Sequence, residues 1–207
     1  MTGENGAFQV VNTWRLSTVL TGNYGVPDLV HLVDAAQGGD RLAFGELYAQ
    51  YARAVHGILL SRVPRAEVED LVQDVFLTAM QRLGSLRDPA AFGGWLAAIT
   101  RNRATDHLRR AHQTSSLTVE LNGETLPAPG TGASHAVAAP DHAEALAVMA
   151  VIRTLPDAYR ETLVLRLVEG MTGPEIADRT GLTAGSVRVN LYRGMKLLRE
   201  RMAAVAP

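Results

Sequence analysis

Residues Trp95–Arg110 read WLAAITRNRATDHLRR, an apolar helix seam that passes into a cluster of arginines without a break. Phe92, Trp95, Leu96 and Ile99 follow the three-and-four spacing of one buried helix face. At about 100° per residue, Arg101, Asn102, Thr105 and Arg109 fall together on another face, where their side chains can meet a partner instead of the core. One helix therefore carries both an anchor and a reader. Arg103, Asp106 and Arg110 continue the line of the seam, and their spacing equally allows Asp106 to pair with both arginines.

Upstream, Gly84–Gly94 (GSLRDPAAFGG) reads as a loop, with Pro89 and a glycine pair immediately ahead of Trp95. The helix before it, Glu67–Leu83, turns Val68, Leu71, Val72, Val75, Phe76, Ala79, Met80 and Leu83 inward. Asp70, Gln73, Asp74, Leu77 and Gln81 are left together outside. That acidic stripe with a leucine in it suits a protein partner, the alternative being a solvated face. Before that, Asp40 is placed to cap a long helix whose stripe is Phe44, Leu47, Tyr48, Tyr51, Val55, Ile58 and Leu59, stopped by Pro64. A first helix over about Asp28–Gln37 ends at Gly38-Gly39. Residues 1–27 have mixed polarity and no sustained period, and read as a disordered extension.

Downstream, residues 111–142 turn to Ser, Thr, Ala, Gly and Pro and read as a flexible linker, with TLPAPGTGASHAVAAP at its centre. Ala111–Ala145 holds four acidic residues (Glu120, Glu124, Asp141, Glu144) and no Lys or Arg. A second domain over 143–203 opens with a helix over Ala143–Arg153. Leu155-Pro156 punctuates, and Tyr159, Leu163, Val164 and Leu167 form the inward face of the next helix. Thr172-Gly-Pro-Glu175 has capping-box spacing, Gly181-Leu182-Thr183 supplies a tight turn, and a long helix runs from about Ala184 to Met202. Helix, glycine-bearing turn, helix is a DNA-binding geometry. On the long helix Val187, Leu191, Met195 and Leu198 make the seam. Ser186, Arg188 and Val189 sit in the first turns, where a recognition helix meets base edges; Arg193, Lys196 and Arg199 lie later and suit phosphates. Gly185 and Gly194 are unexpected in such a helix, at up to about 1 kcal/mol each.

These blocks carry a resemblance. The run W-L-x-x-I-x-R-N-x-x-x-D-x-x-R-R resembles the promoter-melting helix of the extracytoplasmic-function group (group four) of bacterial RNA polymerase sigma factors, within the sigma-70 family. GDRLAFGELYAQYARAV is similar to that family's opening region, and LPDAYRETLVLRLVEGMTGPEIADRTGLTAGSVRVNLYRGMKLLRER to its minus-thirty-five-binding region. The resemblance spans Asp28–Met202. It implies an all-α protein of two helical domains, a sigma-2-like bundle over 28–110 and a sigma-4-like helix-turn-helix domain, joined by the linker. By the same resemblance EDLVQDVFLTAM grips the clamp helices of the polymerase largest subunit, so Asp70, Gln73, Asp74 and Leu77 would meet core polymerase, with the flap as a further contact. Asn102 would lie near a flipped minus-ten base, and Arg101, Arg109 and Arg110 would hold phosphates. The resemblance also implies promoter DNA as ligand, an anti-sigma protein as regulator, and a connector that threads the channel later taken by RNA.

Composition narrows the classes that remain. The chain of 207 residues is 47% hydrophobic, enough for two small cores. No apolar run reaches the roughly 18 residues that span a bilayer, and no signal-peptide pattern opens the sequence, so a cytoplasmic protein without membrane insertion is expected. Zero cysteines exclude thiolate metal sites and disulfides, and the six histidines show no metal-ligand spacing, so no metal or cofactor is expected. The net charge of −1 hides a basic C-terminal part: Leu146–Pro207 has nine Lys+Arg against six Asp+Glu. A stand-alone helix-turn-helix regulator would use that part but leaves Asn102 and the acidic helix unexplained. An enzyme is not expected, because nothing positions a nucleophile, metal or phosphate loop beside Asp106, His107 or His112.

Overall fold

Punctuation decides where the helices begin and end. In the computed structural model, residues 28–122 and 140–205 are described, so the N-terminal extension and the middle of the expected linker, 123–139, lie outside the described residues. Eight α-helices follow in order: α1 Leu29–Gln37, α2 Arg41–Leu60, α3 Val68–Arg82, α4 Phe92–Asn122, α5 Pro140–Arg153, α6 Asp157–Leu167, α7 Gly173–Thr180 and α8 Ala184–Val205, with no strand among the described residues. The all-α architecture is the one expected. No helix among the described residues is long and apolar enough to cross a membrane.

Asp40 starts α2 as its position predicts, its carboxylate accepting from the amides of Leu42 (2.8 Å) and Ala43 (3.2 Å). Leu47, Tyr51, Val55 and Leu59 of α2 then meet Leu71, Val72, Val75, Phe76 and Ala79 of α3 and Phe92 and Leu96 of α4, all buried, while Ile58 is buried on another side of α2 with Ala97, Leu165 and Ile176. Each leucine, valine or phenylalanine among them contributes about 1.5–3 kcal/mol by leaving water. Three residues assigned to this core are more open than expected. Met80 is 47% exposed, and Phe44 and Tyr48 are half-buried. With Gln73, Phe76 and Leu77 they line an open groove between α2 and α3. The helical period gave the right side of each helix, but not how far along it the partner helix reaches.

Gly84–Gly94 is more ordered than the loop that its glycines and Pro89 suggested. Two 3-10 turns, Leu83–Ser85 and Pro89–Ala91, occupy it, and Gly93 and Gly94 fall inside the first turn of α4. The Gln37 side-chain amide donates to the carbonyls of Leu83 (2.9 Å) and Leu86 (2.8 Å), pinning the first turn to α1. The other end of α4 also differs. It continues past Arg110 to Asn122, so the first part of the expected linker is helical. Residues 111–122 contain neither Pro nor Gly, and Gly123 is the first breaker. Likewise α5 begins at Pro140, three residues before the expected Ala143, since proline is accommodated at a helix start.

In the C-terminal domain α6 departs most from expectation. Leu163 and Val164 are buried as predicted, but Tyr159 is half-buried and Leu167 is 47% exposed. Glu161, Thr162 and Leu165 are buried instead. The reason is that α6 is enclosed on two sides, by α8 and by α2 of the other domain. A single-face pattern cannot describe a helix with two partners. Gly194 of α8 is explained by the same packing: a Cβ there would lie 3.1 Å from Leu163 Cδ1 and 3.2 Å from Tyr159 Cβ.

Candidate nucleic-acid interface

The helix-turn-helix is built as its sequence dictates. Thr172 Oγ1 accepts from the Glu175 amide, and Glu175 Oε2 accepts from the Thr172 amide at 2.7 Å. Donation to Glu175 Oε2 from the Thr172 amide, and next from its hydroxyl, holds the Glu175 carboxyl below the usual range. Gly181 closes α7 at φ +72, a left-handed conformation that glycine adopts without strain. Thr183 then starts α8, its hydroxyl accepting from the Ser186 amide at 3.1 Å and lying 2.8 Å from Ser186 Oγ. Beyond this turn Ser186, Arg188, Val189, Arg193, Lys196 and Arg199 are all exposed, as is Tyr192 at 75%. Val187 and Leu198 are buried behind them, while Leu191 and Met195 are half-buried. Lys196 reaches Glu200 only at 4.0 Å. The row is thus an exposed cationic face on a rigidly packed helix.

The face of α4 is different. Asn102 is exposed, and so are Thr105, Arg109 and Arg110. The Thr105 hydroxyl donates back to the Arg101 carbonyl at 2.9 Å. The spacing allowed Asp106 to pair with Arg103 and Arg110; its carboxylate accepts from Arg109 at 2.8 Å, while Arg110 Nε donates to the Asp106 carbonyl at 3.3 Å. Arg103 turns to α3 and donates to Asp74 at 3.2 Å, because α3 brings a carboxylate alongside that a local reading of α4 does not contain. Arg101 crosses to the other domain. Its Nε and Nη2 donate to the two oxygens of Glu161 at 3.1 and 2.7 Å.

On α3, Asp70, Gln73 and Leu77 are exposed and Asp74 is partly covered, so the acidic stripe faces outward as its spacing implied. Leu77 is 58% exposed and adjoins the groove with Met80, Phe44 and Tyr48. Those three residues extend the candidate surface and were missed, since each also fits a core period.

Glu161 was missed as well. Its side chain is 5% exposed, in the middle of α6, and it accepts from Arg62 of the N-terminal domain at 3.2 Å in addition to Arg101. Nearby, Glu169 Oε1 lies 2.7 Å from His56 Nδ1 of α2; this hydrogen bond raises the His56 pKa above its ordinary value, outweighing the opposing effect of burial. Arg179 of α7 stacks 4.3 Å above the buried Tyr51 ring, whose hydroxyl pKa is raised chiefly by burial. A charged residue in a run as apolar as ETLVLRL was the sequence signal for such a contact.

Comparison with known proteins places both domains in a family. Residues 47–114 match the family model for Sigma-70 region 2, and residues 145–198 match that for Sigma-70, region 4. The chain is 31% identical over 175 residues to the ECF RNA polymerase sigma factor BldN of Streptomyces coelicolor, covering 82% of this chain but 64% of BldN, less than two thirds of that relative's length. It is 30% identical over 174 residues to the ECF RNA polymerase sigma-E factor of Escherichia coli, covering 81% of this chain and 90% of the relative. Among solved structures it is similar to CnrH in complex with the cytosolic domain of CnrY, at 27% identity and a TM-score of 0.57, covering 86% of this chain and 100% of CnrH. With two family regions in order and a near full-length relative at that identity, the chain belongs to the ECF RNA polymerase sigma factors.

Proposed function

We propose that this chain is a promoter-specificity subunit of bacterial RNA polymerase that acts in the cytoplasm and performs no catalysis of its own. Residues 143–203 would read duplex DNA at the minus-thirty-five element through Ser186, Arg188 and Val189, with Arg193, Lys196 and Arg199 on phosphates. Residues 28–110 would capture unpaired minus-ten bases near Asn102, with Thr105, Arg109 and Arg110 beside it and Arg101 as a further phosphate ligand. The stripe Asp70, Gln73, Asp74 and Leu77 would meet the polymerase clamp helices, and a protein inhibitor of the anti-sigma kind would hold the factor until a signal arrives. The observation that carries this reading is that one chain exposes two helix faces suited to DNA, Asn102–Arg110 on α4 and Ser186–Arg199 on α8.

Run-off transcription with the purified chain, core RNA polymerase and a library of promoter fragments tests it. Specific transcripts are expected, and the enriched fragments would define both elements. Absence of transcripts together with absence of core-polymerase binding would refute the assignment, and tight duplex binding without polymerase would favour a stand-alone regulator.

A further inference from the structure

The exposed face of α8 is not uniformly cationic. Val189 is 43% exposed and Tyr192 is 75% exposed. At about 100° per residue, Arg188, Tyr192, Val189 and Arg193 follow one another round the helix within an arc of about 140°. Two apolar side chains thus occupy the middle of the row, with a guanidinium on either flank. Val187 and Leu198 turn to the core on the opposite side, so neither Val189 nor Tyr192 is needed to hold α8 in place. A single exposed apolar residue is ordinary. An adjacent pair between cations suits a polyanion that offers an apolar group between its phosphates.

Gly185 supplies an independent observation. It begins the same line, since Gly185, Val189 and Tyr192 are spaced by four and then three residues. Glycine weakens a helix, and internal packing explains Gly194 but not Gly185. Within 4 Å a Cβ at Gly185 would meet, among the described residues, only Thr183 Oγ1, at 3.9 Å. The chain itself therefore makes no use of the clearance. A missing side chain in the first turn lets a duplex backbone approach α8 closely, and so brings Val189 and Tyr192 within reach of base edges.

Chemistry then names the base. In the major groove all four bases present hydrogen-bonding atoms, and thymine adds a methyl group that the other three lack. A valine side chain carries no donor or acceptor, so against a polar edge it would leave that edge without a partner; only the methyl complements it. Along the axis Val189 and Tyr192 stand about 4.5 Å apart, a little over the roughly 3.4 Å rise of one base step, which fits neighbouring base pairs. We propose that Val189 and the Tyr192 ring form an apolar reader of thymine methyl groups in the duplex element, so that at least one thymine there is selected by its methyl. The proposal rests on the DNA-reading role given to α8 above and names the base which that role selects.

Deoxyuridine in place of thymidine deletes the methyl and keeps every hydrogen-bonding atom, which makes it the probe. The duplex fragment most enriched by the full chain with core polymerase is resynthesised with deoxyuridine at each thymine of the minus-thirty-five element in turn, on either strand. Binding is then titrated at fixed salt. At one position or more the parent should lose roughly three- to tenfold in affinity, the order expected for one or two methyl-sized apolar contacts. Val189→Ala and Tyr192→Ala change exposed positions, so the fold is kept. Both should bind the thymine duplex more weakly and lose most of the discrimination, whereas Tyr192→Phe should retain it. An enriched element without thymine, a parent indifferent to deoxyuridine, discrimination undiminished in either alanine variant, or its equal loss in Tyr192→Phe would each overturn the proposal. Weaker binding to core polymerase in the alanine variants, with no effect of deoxyuridine, would overturn it in favour of a protein contact. If the parent does not bind core polymerase, the sigma-subunit reading fails, and duplexes enriched by the chain alone put the same question to α8.

Discussion

Arg101 on α4 and Arg188 on α8 are both proposed to meet DNA, yet the molecule treats them oppositely. Arg188 stands exposed on its helix, whereas Arg101 is partly covered and already holds a carboxylate in two-pronged fashion. An exposed cation attracts DNA from a distance and binds by releasing counterions. A paired cation has to exchange one anion for another, so its affinity depends on how firmly the first is held. On the proposed roles, the row on α8 would be free to search for DNA, whereas Arg101 would first have to give up Glu161.

The comparison breaks most visibly at the junction. Leu165 is fully buried between α6 and α2, and Leu165→Ala should cost about 2–5 kcal/mol of stability in denaturant unfolding. A loss below about 1 kcal/mol would mean that the domains barely support one another in solution. Next in size, Asn102→Ala should slow open-complex formation by roughly ten- to hundredfold, the order of 1–3 kcal/mol for a lost base contact, with polymerase binding intact. Equal loss of both would refute its assigned role.

On α8 the contrast lies between base and phosphate contacts. Arg188→Ala should relax sequence preference at one position by about 1–3 kcal/mol, whereas Lys196→Ala should weaken all promoters alike and reduce the salt slope by about one. Footprinting against a randomised minus-thirty-five element at two salt concentrations separates them, and unchanged preference in Arg188→Ala would sink the base-reading assignment.

The smallest effect is the dependence of the junction on pH. Glu169 raises the pKa of His56, with Glu69 acting in the same direction and Arg65 opposing it. A raised folded-state pKa means that the stabilisation is fully present below the ordinary histidine value of about 6.5 and is lost as pH rises through the folded value. For a partly exposed pair it should amount to about 1 kcal/mol or less. Interdomain energy transfer should therefore decline slightly from pH 6 to pH 8.5, and His56→Gln should abolish that slope. An identical slope in His56→Gln would assign the effect to another group.

Much of this architecture was legible before any coordinates. Asp40, Gly38-Gly39, Thr172, Glu175 and Gly181 are local signals, satisfied by backbone groups a few residues away, and they placed the helix boundaries closely. The seam of Phe92, Leu96 and Ile99 was legible for the same reason, with Trp95 only half-buried at its edge. What a single sequence could not convey was which helix faces serve two masters. Glu161 sits 60 residues from Arg101 and 99 from Arg62, and no spacing rule links such positions. Asp74 likewise reads as part of an outward stripe, although it also receives Arg103 from α4.

Gly57, Gly93 and Gly94 touch no ligand in any role assigned above, and a mutational survey scored by activity alone would be expected to leave such positions unremarked. If the close approach of the two domains that they permit keeps the factor idle, their substitution should instead raise basal transcription. In a genetic selection for variants that fire without an inducing signal, constitutive alleles should gather at these three glycines and at Glu161.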